Sequence, residues 1–211
     1  MRKTGERAAR TAANRARMLG AAKELFIERG YTATTMKAVA ERAGMAVQTL
    51  YFTFSTKRAI LSELLDVEIA GDAEPVATLD RPWAVEALAA PPAEQIRLQA
   101  AGAGRILARV APLLEVVRSA ASTDPEIAAL WRANLSQRHT VQSRFAEALA
   151  AKGALREGTD AARAADIMLA LLSSETYHLL VEERGWSGEE WRDWAADTLL
   201  RQLLPPGWDR S

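Results

Sequence analysis

From Asn14 to Leu204 apolar residues recur about three or four positions apart, and no stretch alternates apolar with polar residues between turn signals. Alternation is the pattern of a half-buried strand, whereas spacing near 3.6 residues lines one face of a helix. The chain is therefore expected to be all-α. Met18, Leu19, Ala22, Leu25 and Phe26 mark the inner face of a first helix, and Gly30 suits a left-handed cap at its end. Thr34 and Thr35 can cap a second helix with inner face Val39, Ala40 and Ala43, closed by Gly44. A third short helix runs from Val47 to about Thr53. Further helices are expected over 57–69, 93–110, 112–121, 124–151, 160–183 and 187–204. Residues 71–82, with two prolines and three acidic residues, read as a loop. No internal repeat is visible.

The 27 Lys and Arg balance the 27 Asp and Glu overall, but not locally. Residues 1–60 hold 12 basic and 4 acidic residues, and residues 61–211 hold 15 and 23, so the parts carry +8 and −8. A basic block on an acidic one suggests a small polyanion-binding module joined to a larger domain with another task. No apolar run approaches the roughly 18 residues of a membrane span, and the basic N-terminus lacks the apolar stretch of a signal peptide. A cytoplasmic protein without membrane contact is expected. The absence of cysteine excludes disulfides, thiolate zinc sites and cysteine nucleophiles. No G-x-S-x-G, P-loop, G-x-G-x-x-G or H-E-x-x-H motif is present, so neither an enzyme nor a cofactor is expected. Glu175 and His178 stand i, i+3 on a helix, a pair that reads as surface packing rather than as a metal site.

Two short helices around a Gly-containing turn, inside the basic block, form the pattern of a helix-turn-helix. In this reading Thr35, with the free N–H groups at the start of helix two, can hold a phosphate, or can simply cap that helix. On helix three, Val47 can meet a thymine methyl and Gln48 can pair with the N6 and N7 edge of adenine. The 45 positions from Arg17 to Leu61 resemble the DNA-binding domain of the TetR/AcrR family of transcriptional regulators. The resemblance rests on Ala21-Ala22, Leu25-Phe26, Gly30-Tyr31, Thr34-Thr35-Met36, Val39-Ala40, Ala43-Gly44, Thr49-Leu50-Tyr51, Phe54 and Lys57, each at the family's spacing.

The resemblance implies phosphate contacts from Thr49, Tyr51 and Lys57, and from Thr53 where many relatives carry a histidine. It makes Leu50 the packing anchor. Phe52 completes the DNA-facing set, and its aromatic character beside Tyr51 keeps core packing as the rival reading of Tyr51. Lys57 has the rival of a solvated surface charge. Ala46 departs from the family, standing where many relatives have a serine that caps helix three. Losing such a cap costs about 0.5–2 kcal/mol.

The expected organisation is a disordered basic arm at 1–10, a helix-turn-helix domain at 11–56 and a helical ligand-binding and dimerisation domain at 57–211. By resemblance the last two long helices join their copies in a homodimer, with Ser173 and Ser174 allowing close approach. The resemblance also places a pocket between about residues 93 and 180. Trp131, Asn134, Arg138, Phe145 and Tyr177 are its candidate lining, aromatic walls with a few polar groups. The partners implied are an operator in double-stranded DNA and a small-molecule inducer. The alternative is a small-molecule-binding helical dimer without DNA-binding activity.

Overall fold

The Ala- and Arg-rich run from Arg7 to Arg17 contains no proline, so a helix nucleated at Met18 can propagate back through it. In the computed structural model α1 spans Arg2–Ala33. The structure describes residues 2–72 and 76–208, with side chains from Arg7 onward. Residues 2–10, expected to be disordered, are thus helical, and Met1 lies outside the described residues. The helix is interrupted at Gly30, where φ 76° and ψ 171° favour a residue without Cβ. Buried Thr34 fastens the break by donating its hydroxyl to the carbonyls of Leu25 (3.0 Å) and Gly30 (2.8 Å).

Helices α2 (Met36–Ala43), α3 (Val47–Phe54) and α4 (Lys57–Ala70) follow the expected pattern. Residues 73–75 of the expected loop lie outside the described residues. The rest of it holds a 3₁₀ turn at Thr78–Asp80 and leads into an unforeseen helix, α5 (Pro82–Ala89). Pro82 suits its first turn because an N–H there would have no helical partner. Eight residues bury only Ala84 and Ala87, too short a repeat to show as a period.

Pro112, expected to divide two helices, sits inside one helix, α6 (Pro92–Ala120). The lost N–H costs the carbonyl four residues back its partner, but buried Leu107, Val110 and Ala111 before it and Leu113, Leu114 and Val117 after it hold the helix on course. Next come α7 (Pro125–Ala151) and α8 (Ala161–Leu171). The helix expected to run from 160 to 183 is broken, because Ser173 is extended (φ −94°, ψ 155°) and its hydroxyl accepts from the Thr176 N–H at 3.1 Å. That cap starts α9 (Ser174–Tyr177), which passes into a π-helical turn at His178–Glu183. The last helix, α10 (Gly188–Leu203), opens with a full capping box between Ser187 and Glu190.

Two compact units emerge. The first holds the chain through Val67 together with Pro112–Trp131, and the second holds Glu68–Ala111 and the chain from Arg132 on. Met18, Leu25, Phe26, Val39, Leu50, Ile60 and Leu61 lie in the core of the first, and Ile96, Phe145, Met168, Trp191 and Leu199 in that of the second. Among the described residues no strand occurs, and no helix is long and apolar enough to cross a membrane.

Candidate nucleic-acid interface and buried polar core

In the first unit the α2–α3 turn is set by Gly44, which takes the left-handed conformation (φ 64°, ψ 40°). The Gly44 N–H bonds the Glu41 carbonyl at 3.1 Å and the Met45 N–H bonds that of Ala40 at 2.9 Å, while Arg17 donates to Ala43 O at 2.9 Å. The last carbonyls of α2 are thereby satisfied and the angle into α3 is fixed. Leu50 and Phe54, one turn apart, sink one face of α3 into the unit. The helical period then turns Gln48, Tyr51 and Phe52 outward together. Gln48 and Thr49 are exposed, as is Tyr51, and Phe52 is 91% exposed. Val47 and Thr53 are half-buried at the edge of this face, and the Thr53 hydroxyl donates to Thr49 O at 2.8 Å. As expected from Ala46, α3 begins without a side-chain cap.

Thr35 is exposed at the start of α2, and its hydroxyl oxygen accepts from the Ala38 N–H at 3.1 Å. The hydroxyl hydrogen stays available to an incoming acceptor, so capping and phosphate contact are compatible. Lys57 is half-buried. Its Nζ donates to Tyr31 O at 2.6 Å and Thr34 O at 2.8 Å, and lies 4.1 Å from the Tyr31 ring centroid. Burial pushes its ammonium pKa down, with Asp124 acting in the opposite sense. Much of the block's positive charge is likewise engaged: Arg15 pairs with Glu63, and Arg42 with Glu24 (2.9 Å) and Glu28 (3.1 Å).

In the second unit Asn134 and Arg138 lie one turn apart on α7. Arg138 donates to Ser174 Oγ at 3.3 Å and pairs with Glu175 at 3.5 Å. Burial alone would raise the Glu175 carboxyl, but its own backbone N–H, the Arg138 guanidinium and the Ser174 hydroxyl outweigh it and hold the group below the usual range. Phe145 stacks on Trp83 (centroids 6.2 Å apart), and Tyr177 meets Trp191 edge-on (5.1 Å). Asn134, Arg138, Phe145 and Tyr177 thus share the second unit, whereas Trp131, half-buried, belongs to the first. Glu175 faces Arg138, and His178 faces Glu183 at 3.4 Å.

Sequence reasoning missed three glutamines. Gln95, Gln99 and Gln142 are buried in this unit, where Gln95 donates to Phe145 O at 2.8 Å and Gln99 to Gln142 Oε1 at 2.6 Å. Their signal was present, because Gln95 and Gln99 stand i, i+4 beside the core positions Ile96 and Ala100. An open cleft of about 480 Å³ elsewhere on the unit, lined by Arg156, Thr159, Arg163, Asp166 and Gln202 among others, contains none of the expected ligand residues.

Residues 18–64 match the family model described as bacterial regulatory proteins, tetR family. A stretch of 52 residues is 40% identical to the HTH-type transcriptional regulator QacR of Staphylococcus aureus, covering 25% of this chain and only 28% of that relative's length. Over the whole fold the chain is similar to a TetR family transcriptional regulator from Pseudomonas syringae pv. tomato, with TM-score 0.65 and 25% identity over 91% of this chain and 97% of the other. It is also similar in fold to a transcriptional regulator from Saccharomonospora viridis solved in complex with choline, with TM-score 0.68 and 19% identity over 92% and 99%. Residues 18–64 thus form a helix-turn-helix module of the tetR-family type, and the helical fold along the chain is shared with a TetR family transcriptional regulator.

Proposed function

We propose that the chain is a ligand-responsive transcriptional repressor that binds a pseudo-palindromic operator as a homodimer and is released by a small-molecule inducer. The observation that carries this reading is the outer face of α3, where Gln48, Thr49, Tyr51 and Phe52 stand in solvent while Leu50 and Phe54 fix the helix from behind. An apolar ring as exposed as Phe52 suits contact with a thymine methyl, and Gln48 suits adenine. Thr35, Thr49, Tyr51 and Thr53 supply phosphate contacts around them, and Val47 supplies a further apolar contact. Lys57 serves mainly by bracing the end of α1 against α4, with one N–H left for a phosphate.

The second unit is the inducer's domain in this reading. The choline bound by the S. viridis regulator supports ligand binding on this fold. Helix α4 belongs to the first unit through Val67 and to the second from Glu68, where Arg109 grips its end by donating to Glu68 O (2.9 Å) and Ile69 O (3.2 Å). A ligand that prefers one position of α4 shifts the equilibrium toward modules misaligned with their grooves, a coupling of about 1–3 kcal/mol. Partner contacts come from α8 to α10, where Leu179 is 53% exposed and Ile167, Leu171 and Trp194 are half-buried. Ser173, which caps α9, and Ser174, which bonds Arg138, are buried within their own subunit and serve there rather than as partner contacts.

Selection of bound duplexes from a random DNA pool tests the proposal. The expected result is enrichment of an inverted repeat; a pool indistinguishable from input would leave a helical ligand-binding dimer without DNA-binding activity.

A further inference from the structure

In the second unit the bonds from Gln95 to Phe145 and from Gln99 to Gln142 show α6 and α7 running antiparallel. Continuing that register brings Gly104 level with about residue 137 and Asn134 level with about Leu107. The Trp191 ring lies against Gly104, where an added Cβ would be 3.6 Å from it. From Gln142 to Asn134 is eight residues of α7, about 12 Å. Along that length runs a polar stripe of Gln99, Gln142, Arg138, Ser174 and Asn134, flanked by the rings of Tyr177 and Trp191.

The stripe is incomplete. Gln99 Oε1, Asn134 Oδ1 and Trp191 Nε1 are buried without a hydrogen-bond partner among the described residues, on side chains of residues that are 2%, 5% and 0% exposed. Leaving such groups unsatisfied opposes folding. The wall carrying Ser174 and Tyr177 is the interrupted segment of α9 and its π turn, and such interruptions concentrate at functional sites.

We infer that this stripe is the inducer's recognition site, and that its ligand is an uncharged aromatic molecule that both donates and accepts hydrogen bonds. Two amide oxygens call for donors on the ligand, and one indole N–H calls for an acceptor. The rings of Tyr177 and Trp191 call for a flat apolar body. The nearest carboxylate, Glu175, is already paired with Arg138, so no charge in the stripe waits for a counterion. The inference rests on the proposed inducer role of this unit, and it narrows the ligand's chemistry.

The full-length protein titrated with 2-naphthol, its methyl ether 2-methoxynaphthalene and the anion 2-naphthoate, read by tryptophan fluorescence, provides the test. The hydroxyl compound is expected to bind at least about 10-fold more tightly than either of the others. In Gln99→Leu/Asn134→Leu the preference over the ether should fall to about one, and Asn134→Leu alone, which breaks no bond among the described residues, should without any compound melt about 2–4 °C higher than the parent. Equal binding of the three compounds, binding of none, a preference that survives in the double variant, or an Asn134→Leu variant that melts lower would each overturn the inference. Operator release is followed in the same samples. Discrimination without release would uphold this site and remove induction from the proposed function, whereas release without discrimination would do the reverse.

Discussion

The ammonium of Lys57 sits on two carbonyls at the end of α1, and the side-chain amide of Gln48 stands in solvent on α3. Their removal should therefore be felt differently. Lys57→Met leaves two half-buried carbonyls without their charged donor, so we expect about 1–3 kcal/mol less stability and weaker binding to all DNA sequences alike. Gln48→Ala should leave thermal stability within about 0.5 kcal/mol and relax preference at one operator position by about 1–3 kcal/mol. Melting curves and competition binding on a panel of single-base operator variants separate the two. Glu175 offers a check on the second unit. Its carboxyl is held below the ordinary value near 4.5, so its contribution to stability is present above that pH and disappears as pH falls through its folded value. Because the pair with Arg138 is part-exposed, the effect is modest, at most about 1 kcal/mol. The melting temperatures of the parent and Glu175→Gln should differ at pH 7 and converge as pH falls through that lowered folded value; a constant gap would mean that the carboxylate's charge contributes nothing.

Helix α3 begins at Ala46 without a side-chain acceptor for its first N–H groups. Ala46→Ser should supply one and stabilise the module by about 0.5–2 kcal/mol in chemical denaturation. A loss of stability would show that the turn from Gly44 to Val47 holds the side chain away from those amides. The helices that announced themselves in the sequence are those with a cap residue and a long one-sided apolar period, such as α2 between Thr35 and Gly44 and α10 behind Ser187. Those that did not were decided by packing. Proline at 112 reads as a boundary locally, yet buried neighbours on both sides carry the helix through it. Ser173 reads as a small residue inside a long helix, and only its bond to Thr176 makes it a break. The helix-turn-helix was legible because its geometry depends on few residues close in sequence. The polar stripe was not, because Gln99 and Gln142 meet across 43 positions and orphaned atoms appear only when burial is known.

At the scale of the whole molecule, zero net charge conceals a basic module in which some of the cations are paired at home, Arg15 with Glu63 and Arg42 with Glu24 and Glu28. In the proposed repressor, sequence recognition rests on the exposed face of α3 more than on bulk charge, and one such face covers only half a site. In the proposed dimer two copies, held by surfaces on α8 to α10, present their faces to grooves one helical turn apart, roughly 10–10.5 base pairs. The most direct test is therefore geometric: binding to the selected operator compared with the same operator carrying about five extra base pairs, half a turn, between its half-sites. The account predicts a complex of two 23.0 kDa chains per operator, and an affinity for the lengthened site reduced by at least about 100-fold, toward that for unrelated DNA. Undiminished binding after the half-turn insertion, or a complex containing a single chain, would contradict it.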